Sequence, residues 1–544
     1  MGKYYNLRPT LAAIMQIPRR AEQQNTETLA ETFVDAGPLL SSLSRPEHQV
    51  MYGRRGTGKT HALAALRSSL ENRALCVISL DLRTIGSAGG MYADSRHSPE
   101  VRASRLLIDV LEAVQNELSD FALAAPKDTR DPTRLLQATD QLAEAALDIE
   151  VIGPVEAETT MTDDRNSTSS AGAKFAVTPP SVSFELSGTD TKKLSRSLRS
   201  KVTGDARYTV RFGALSGALS RCVRELPRQQ LWILLDEWSA IPVELQPVLA
   251  DLLRRAVFPV RGTVVKIASI ERRSRFSVRG KDGDYLGIEL GADVSQDVNL
   301  DDYFVYNEND DRSSHFLQEI LARHIVAVSP TLRPRDEDDS RINYYVADIF
   351  LSDLFDHGAF QELVRAAEGV PRDFINVASL AAQRASGYGG NVGPIRLEDV
   401  RDSARRWFLL DKENAVRSDR GMVNALGNIT NFAVQKRRRS FFLDRKYDAQ
   451  NDIIQDLYDA RLIHLLRSAV GPGARFDLFA LDYGGYVASV QTDDDVANWY
   501  KVGQITWIDS HGTGAIAGIE DATLTLSEIV GSTSKPVAPK RRRR

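Results

Sequence analysis

Eight consecutive residues, Gly53-Arg-Arg-Gly-Thr-Gly58-Lys59-Thr60, restrict this chain more than any other stretch, because they match the phosphate-binding loop pattern in full. His48 to Tyr52 before them reads as a short strand, and His61 to Glu71 after them has helical apolar spacing. That context is what the loop needs. Glycines let the backbone wrap tightly, so successive amides and the N-terminus of the following helix point at phosphate oxygens. Gly53, Arg54, Arg55, Gly56, Thr57, Gly58, Lys59, Thr60 and His61 are therefore the candidate nucleotide-binding residues. Lys59 is expected on the β- and γ-phosphates and the Thr60 hydroxyl on Mg²⁺, which makes ATP and Mg²⁺ the expected ligands.

Such a site needs an acidic residue at the end of a buried strand. Leu231-Trp-Ile-Leu-Leu-Asp236-Glu237 supplies one. Asp236 is expected to hold Mg²⁺ through water, and Glu237 to polarise the attacking water as the catalytic base. An apolar run ending in Asp-Glu is common by itself; downstream of a full phosphate loop it gains meaning, and an adjacent acidic pair fits a hydrolase better than a kinase. Ser269 ends the next apolar run, Val264 to Ser269, where a hydroxyl can touch the γ-phosphate or the lytic water. Arg272, Arg273 and Arg275 follow, either as guanidiniums within reach of nucleotide or as a solvated basic turn.

The remaining pattern alternates strands (Ala74–Asp81, Leu231–Leu235, Thr263–Ile270) with helices (Leu106–Leu123, Leu135–Leu147, Arg211–Leu226, Pro242–Ala256), and Tyr285–Val298 reads as another strand and a turn. That predicts an α/β fold, a parallel sheet with helices on both faces. The core is expected over 46–305 behind an N-terminal segment, 1–45, with an insertion at about 84–205. Ser, Thr, Gly and Asp dominate that insertion from Glu156 to Thr203, with a short hairpin expected at Phe175 to Leu186. A helical lid is expected over 306–388, with Gly387 to Pro394 as linker. Then come helices at Leu397–Asp411 and Asn451–Ala460 and a strand–turn–strand over Leu462–Ala469, Gly471-Pro-Gly and Arg475–Val490. This order suggests a winged-helix-like domain over 395–490, before a C-terminal region, 491–544, that ends in the basic tail Lys540 to Arg544.

Composition narrows the class. With 69 Lys+Arg against 73 Asp+Glu the net charge is −4, and 42% of 544 residues are apolar, as in a globular protein rather than a histone-like one. No apolar run is long enough to span a bilayer and no signal stretch opens the chain, so a cytoplasmic protein without membrane association is expected. Cys76 and Cys222 give no disulfide framework, and the eight histidines show no metal-site spacing.

These motifs together resemble AAA+ P-loop ATPases of the origin-recognition (initiator) clade and the related STAND-type ATPases. Gly369-Val-Pro371-Arg372 resembles the Gly-x-Pro-Arg element in the helical lid of those families, whose arginine or nearby backbone faces nucleotide. On this resemblance Arg372 is the second sensor, with catalytic and nucleotide contacts, and Ser269 the first. The chain departs from the clade in the length of its insertion and in lacking one identifiable arginine finger.

A winged helix in this setting implies double-stranded DNA as partner. Lys436-Arg-Arg-Arg439 with Phe441-Phe442 is a basic, aromatic cluster suited to phosphates, or else a solvated helix end. Tyr483, Tyr486, Trp499, Tyr500 and Trp507 either stack on bases or pack a β-rich module, the second being the better expectation. Asp493-Asp-Asp495 reads as a surface loop. Three functions fit: an ATP-hydrolysing, oligomeric, DNA-binding switch; a STAND-like signalling ATPase in anti-phage defence, acting through protein partners; and a nucleotide-stabilised scaffold with little turnover.

Overall fold

Every residue from Leu231 to Asp236 is buried, and alternate side chains enter opposite apolar clusters: Ile233 and Leu235 on one face, Trp232 and Leu234 on the other. A strand of this kind must lie inside a sheet covered on both sides. The computed structural model describes residues 7–35, 37–85, 98–124, 131–146, 211–279, 285–303, 312–333, 347–348, 351–387, 392–449, 451–490 and 522–531. Within them β1 (Gln49–Tyr52), β2 (Cys76–Asp81), β3 (Leu231–Asp236), β4 (Thr263–Ser269) and β7 (Ser295–Asn299) form a parallel sheet in the order β2-β3-β4-β1-β7. A separate hairpin, β5 (Ser277–Arg279) with β6 (Tyr285–Gly287), precedes β7. The strand and turn expected over Tyr285–Val298 are two strands about a turn at Gly291, whose φ of +88° suits glycine.

Helices α1 (Leu7–Gln16) and α2 (Thr26–Thr32) precede the sheet, and α3 (Lys59–Glu71) follows the phosphate loop. Leu63, Leu66 and Leu70 of α3 cover one face with Met51, Val77 and Val264. The other face is covered by α4 (Pro99–Leu123), α5 (Pro132–Ala146), α6 (Phe212–Glu225) and α7 (Gln246–Ala256). Part of the stretch read as insertion therefore packs on the sheet: residues 98–124 and 131–146 form these helices. The hairpin expected at Phe175–Leu186 lies outside the described residues, as do Asp493–Asp495, Trp499, Tyr500, Trp507 and the tail from Lys540.

A second apolar body joins α1, α8 (Arg312–Val328), α9 (Ala359–Ala367) and α10 (Pro371–Ala385) to the C-terminal module. That module holds α11 (Leu397–Trp407), α12 (Arg420–Lys436), β8 (Ser440–Asp444), α13 (Asp452–Asp459), β9 (Ile463–Val470), β10 (Phe476–Leu481) and α14 (Tyr483–Ser489). Leu11, Leu321, Phe374, Phe408, Ile429, Phe441 and Tyr486 belong to one continuous cluster, so lid and module share a core across the expected linker. Strands β8, β10 and β9 form an antiparallel sheet with β10 central. The strand expected to run on to Val490 ends at Leu481. There Asp482 caps α14 by accepting from the Gly484 amide. Tyr483 and Tyr486 are buried in that helix, which rules out base stacking for both.

The two bodies meet at Phe316, partly buried against both clusters, and along a seam of arginines. Arg273, just past β4, pairs with Asp459 and lies 3.7 Å from Asp456 on α13, while Arg272 stands 5.3 Å over the Tyr458 ring. Among the described residues no helix is long and apolar enough to cross a membrane.

Candidate nucleotide-binding site

The loop from Gly53 to Thr60 sits where β1 ends against β4 and α3 begins, with the Gly53 amide donating to the Ser269 carbonyl. Gly56 and Gly58 have φ of +88° and +99°, which L side chains rarely adopt, so two of the motif glycines are required by backbone shape. Lys59 is buried, and its ammonium donates to the Gly53 and Arg54 carbonyls at 2.8 and 3.0 Å. Burial pushes its pKa down, against the pull of Glu237 and Asp236. An anion brought to this ammonium would be bound strongly, because little water competes.

Strand order sets the rest. Because β4 lies between β1 and β3, Asp236 and Glu237 stand two strands from the loop; Glu237 lines the phosphate end of the cleft and Asp236 lies behind Thr60. The Thr60 hydroxyl donates to Asp236 at 2.7 Å. Burial raises the Asp236 pKa, reinforced by Glu237 and opposed by Thr60 and Lys59. A buried carboxylate touching a hydroxyl fits a small divalent cation, whose charge would replace the proton such a carboxylate otherwise attracts. Glu237 has φ of +56°, a strained position for a non-glycine residue, and its carboxylate is 3.9 Å from Arg83.

The start of α10 packs on this loop. The Arg372 amide donates to the Gly56 carbonyl at 3.2 Å, and Arg372 sits at the start of α10, so a second helix N-terminus faces the phosphate end. A cleft of about 410 Å³ results, lined at its polar end by Arg55, Gly56, Thr57, Gly58, Lys59, Thr60, Glu237 and Arg372. Its volume suits a nucleotide.

Two assignments from sequence need correction. Arg54 turns its side chain away from the cleft: its guanidinium bonds Asp301 at 2.9 Å and His464 of β9 at 2.9 Å. Its neighbour Arg55 lines the cleft instead. Ser269 ends β4 as expected but does not reach the cleft, because its hydroxyl bonds that of Ser274 and it is fully buried. His61 does line the cleft, with its ring 5.8 Å from His324.

Sequence reasoning missed the apolar end. Pro18, Val34, Phe316, Ile320 and Ile375 form a slot suited to a base, supplied by the N-terminal segment and the lid. His324 joins them, its Nδ1 bonded to the Ile320 carbonyl at 2.9 Å and its pKa pushed down to about 4 by burial. The periodicity of α8 signalled a buried face, but nothing local said that it faces a cleft. Arg83 was also missed, although its place just after β2 is where cleft residues arise in such sheets.

Comparison with known proteins follows the same division. Residues 18–71 match the ORC-CDC6-like family model. In sequence this stretch is similar to that family, and it contains the phosphate loop together with the N-terminal residues of the slot. No curated protein matches the chain. Among solved structures, the Aeropyrum pernix ORC1 protein in complex with DNA aligns over 89% of this chain and 94% of its own, at 14% identity and TM-score 0.30.

Proposed function

We propose that the chain binds and hydrolyses ATP as an AAA+ switch and that its DNA affinity depends on the bound nucleotide. One observation carries this reading: residues 55–60 of the phosphate loop, Glu237 and Arg372 line one cleft between two apolar bodies, with Asp236 bonded to Thr60 beside it. In this reading Thr60 and Asp236 hold Mg²⁺, which neutralises phosphate charge. Lys59 and the loop amides fix the triphosphate, Glu237 orients the attacking water, and Arg372 reports the γ-phosphate to the lid. Self-association is part of the proposal, with the exposed Arg275 as the candidate to act on a neighbouring copy, since Arg272 is engaged over the Tyr458 ring in the seam.

For DNA the favoured surface has moved. Arg438 and Arg439 of the expected basic cluster are buried, with Arg439 paired to Glu368, and Phe441 and Phe442 lie in the core. Exposed basic side chains gather instead on the β8–α13 loop and the β9–β10 hairpin: Arg445, Lys446, Arg467 and Arg475, with Tyr447 67% exposed among them. Such a patch suits phosphates with an aromatic contact.

A second reading, signalling through a protein partner, draws on α13. This helix stands where a recognition helix would, yet it carries Asp452, Asp456 and Asp459 and is held against the ATPase core by Arg273.

The test is ATP turnover by wild type, Lys59→Ala and Glu237→Gln, with and without duplex DNA, while light scattering follows assembly. Lys59→Ala should lose nucleotide binding; Glu237→Gln should bind and not hydrolyse. Turnover raised by DNA supports the switch. Turnover indifferent to DNA, with concentration-dependent assembly, moves the assignment to the protein-partner reading, and full activity in Lys59→Ala sinks the site.

A further inference from the structure

Arg54 is the one phosphate-loop side chain that leaves the nucleotide cleft for the C-terminal module, and it is buried where it arrives. Its backbone amide and Nε both donate to Asp301, at 3.0 and 2.9 Å, so the side chain is held in a fixed direction. Its Nη1 lies 2.9 Å from His464 Nδ1, and the guanidinium stands 5.0 Å over the Tyr458 ring. Guanidinium only donates, so His464 accepts at Nδ1 and donates from Nε2 to Asp482, 2.9 Å away.

A second route reaches the same carboxylate from the lid. Next to Arg372, Asp373 is fully buried, is ion-paired with Lys412 at 2.8 Å and accepts from Arg461. Lys412 also bonds Asp482, at 2.5 Å. Two chains of contact therefore leave the nucleotide cleft, one through Arg54 and one through Arg372–Asp373, and both end on Asp482.

We propose that Arg54 is a coupling residue, which passes the state of the phosphate loop to the C-terminal module through His464 and Tyr458 and takes no direct part in holding nucleotide. This deepens, and rests on, the ATP-binding reading above. The moving part is on the same residue. The Arg54 carbonyl receives the Lys59 ammonium at 3.0 Å and the Thr57 hydroxyl at 2.9 Å. A triphosphate draws Lys59 away to its own oxygens, so the Arg54 peptide loses a charged partner when the site fills. Its side chain faces a second cavity of about 430 Å³ between core and module, lined also by Arg272, Tyr458, His464 and Arg445, which leaves room for that peptide to shift. Arg445, which belongs to the proposed DNA surface, lines the same cavity.

The experiment is hydrogen exchange over residues 452–470, with and without a non-hydrolysable ATP analogue and Mg²⁺, in wild type, Arg54→Met and His464→Ala. Affinity for the analogue is measured alongside, and thermal melting checks folding. In wild type the analogue should change exchange in this segment. In both variants the change should disappear while affinity stays within about threefold, since neither side chain enters the cleft. Arg54→Lys keeps the charge but cannot span Asp301 and His464 together, and it should restore less than half of the response. A response that survives in either variant overturns the proposal, as does a tenfold affinity loss in Arg54→Met, which would return Arg54 to the nucleotide site. A wild type that binds the analogue with no change in exchange refutes the coupling and leaves the ATP reading intact; a wild type that does not bind it refutes that reading itself.

Discussion

Alanine at Gly56 and alanine at Gly58 impose the same backbone strain but different contacts, and the difference isolates how firmly the lid rests on the phosphate loop. Both glycines have positive φ, so each substitution costs about 1–2 kcal/mol in the left-handed region. At Gly58 a new Cβ meets nothing within 4 Å, and strain is the whole effect. At Gly56 it would lie 2.7 Å from Arg372 Cβ and 3.2 Å from Val370 Cγ1. Relief to an ordinary carbon contact requires the start of α10 to retreat by about 1 Å. That retreat stretches the hydrogen bond from Arg372 to Gly56, 3.2 Å long at the outset, past a useful length. The lost bond and the overpacking together cost about 2 kcal/mol or more. The reporter is the Arg372 amide itself. At the second position of its helix it has no intrahelical acceptor, so its protection comes from docking on the loop. Hydrogen exchange resolved to single amides, without nucleotide, should show that amide exchanging about thirtyfold faster in Gly56→Ala and little changed in Gly58→Ala. Equal losses in the two variants would refute the argument, because backbone strain alone would then explain both.

Three further expectations follow from the geometry. Arg439→Met strands the buried Glu368 carboxylate and should cost about 3–5 kcal/mol in urea unfolding, with much of it recovered in the double variant Arg439→Met/Glu368→Gln. His324 titrates near 4 when folded and near 6.5 when unfolded, so unfolding takes up a proton and stability falls as pH drops through this window. Between pH 7.5 and pH 5 wild type should lose about 2 kcal/mol more than His324→Gln, and equal losses would remove His324 from the account. Reversing Arg445, Lys446, Arg467 and Arg475 should weaken duplex binding and flatten its salt slope by about 3, whereas reversing Lys436 and Arg437 should do less; unchanged affinity would discard the patch.

The parts of the site legible in sequence were those whose chemistry is local. The loop spacing, the acidic strand end and the Gly-Val-Pro-Arg element each carry their meaning within eight residues, and the cleft holds Lys59, Thr60, Glu237 and Arg372. What distant partners decide could not be read. Arg54 and Arg55 are identical neighbours, and only Asp301 and His464, far along the chain, send the first outward. Lys436 to Arg439 read as one cluster until Glu368 drew in its last member. Phe476 to Val490 alternates well enough for a strand, but the Asp482 cap turns its second half into a helix, and Gly484 and Gly485 lie against Ala404 and Phe408 too closely for any Cβ. The base slot draws on Pro18, Val34 and Ile320, none of which has a polar signature.

The arginine seam also bears on how such a molecule could come apart without harm. Arg54, Arg272 and Arg273 meet Tyr458, Asp459 and His464 across it, while the two apolar clusters lie largely to either side. Parting there hands water guanidinium, carboxylate and imidazole groups and one tyrosine ring, groups that hydrate readily, rather than a wall of hydrocarbon. An unlatched molecule would thus present no adhesive face to its neighbours. Dissolved ions weaken charges exposed at the seam's rim more than they weaken buried packing, so the balance between latched and unlatched forms should follow ionic strength before it follows temperature.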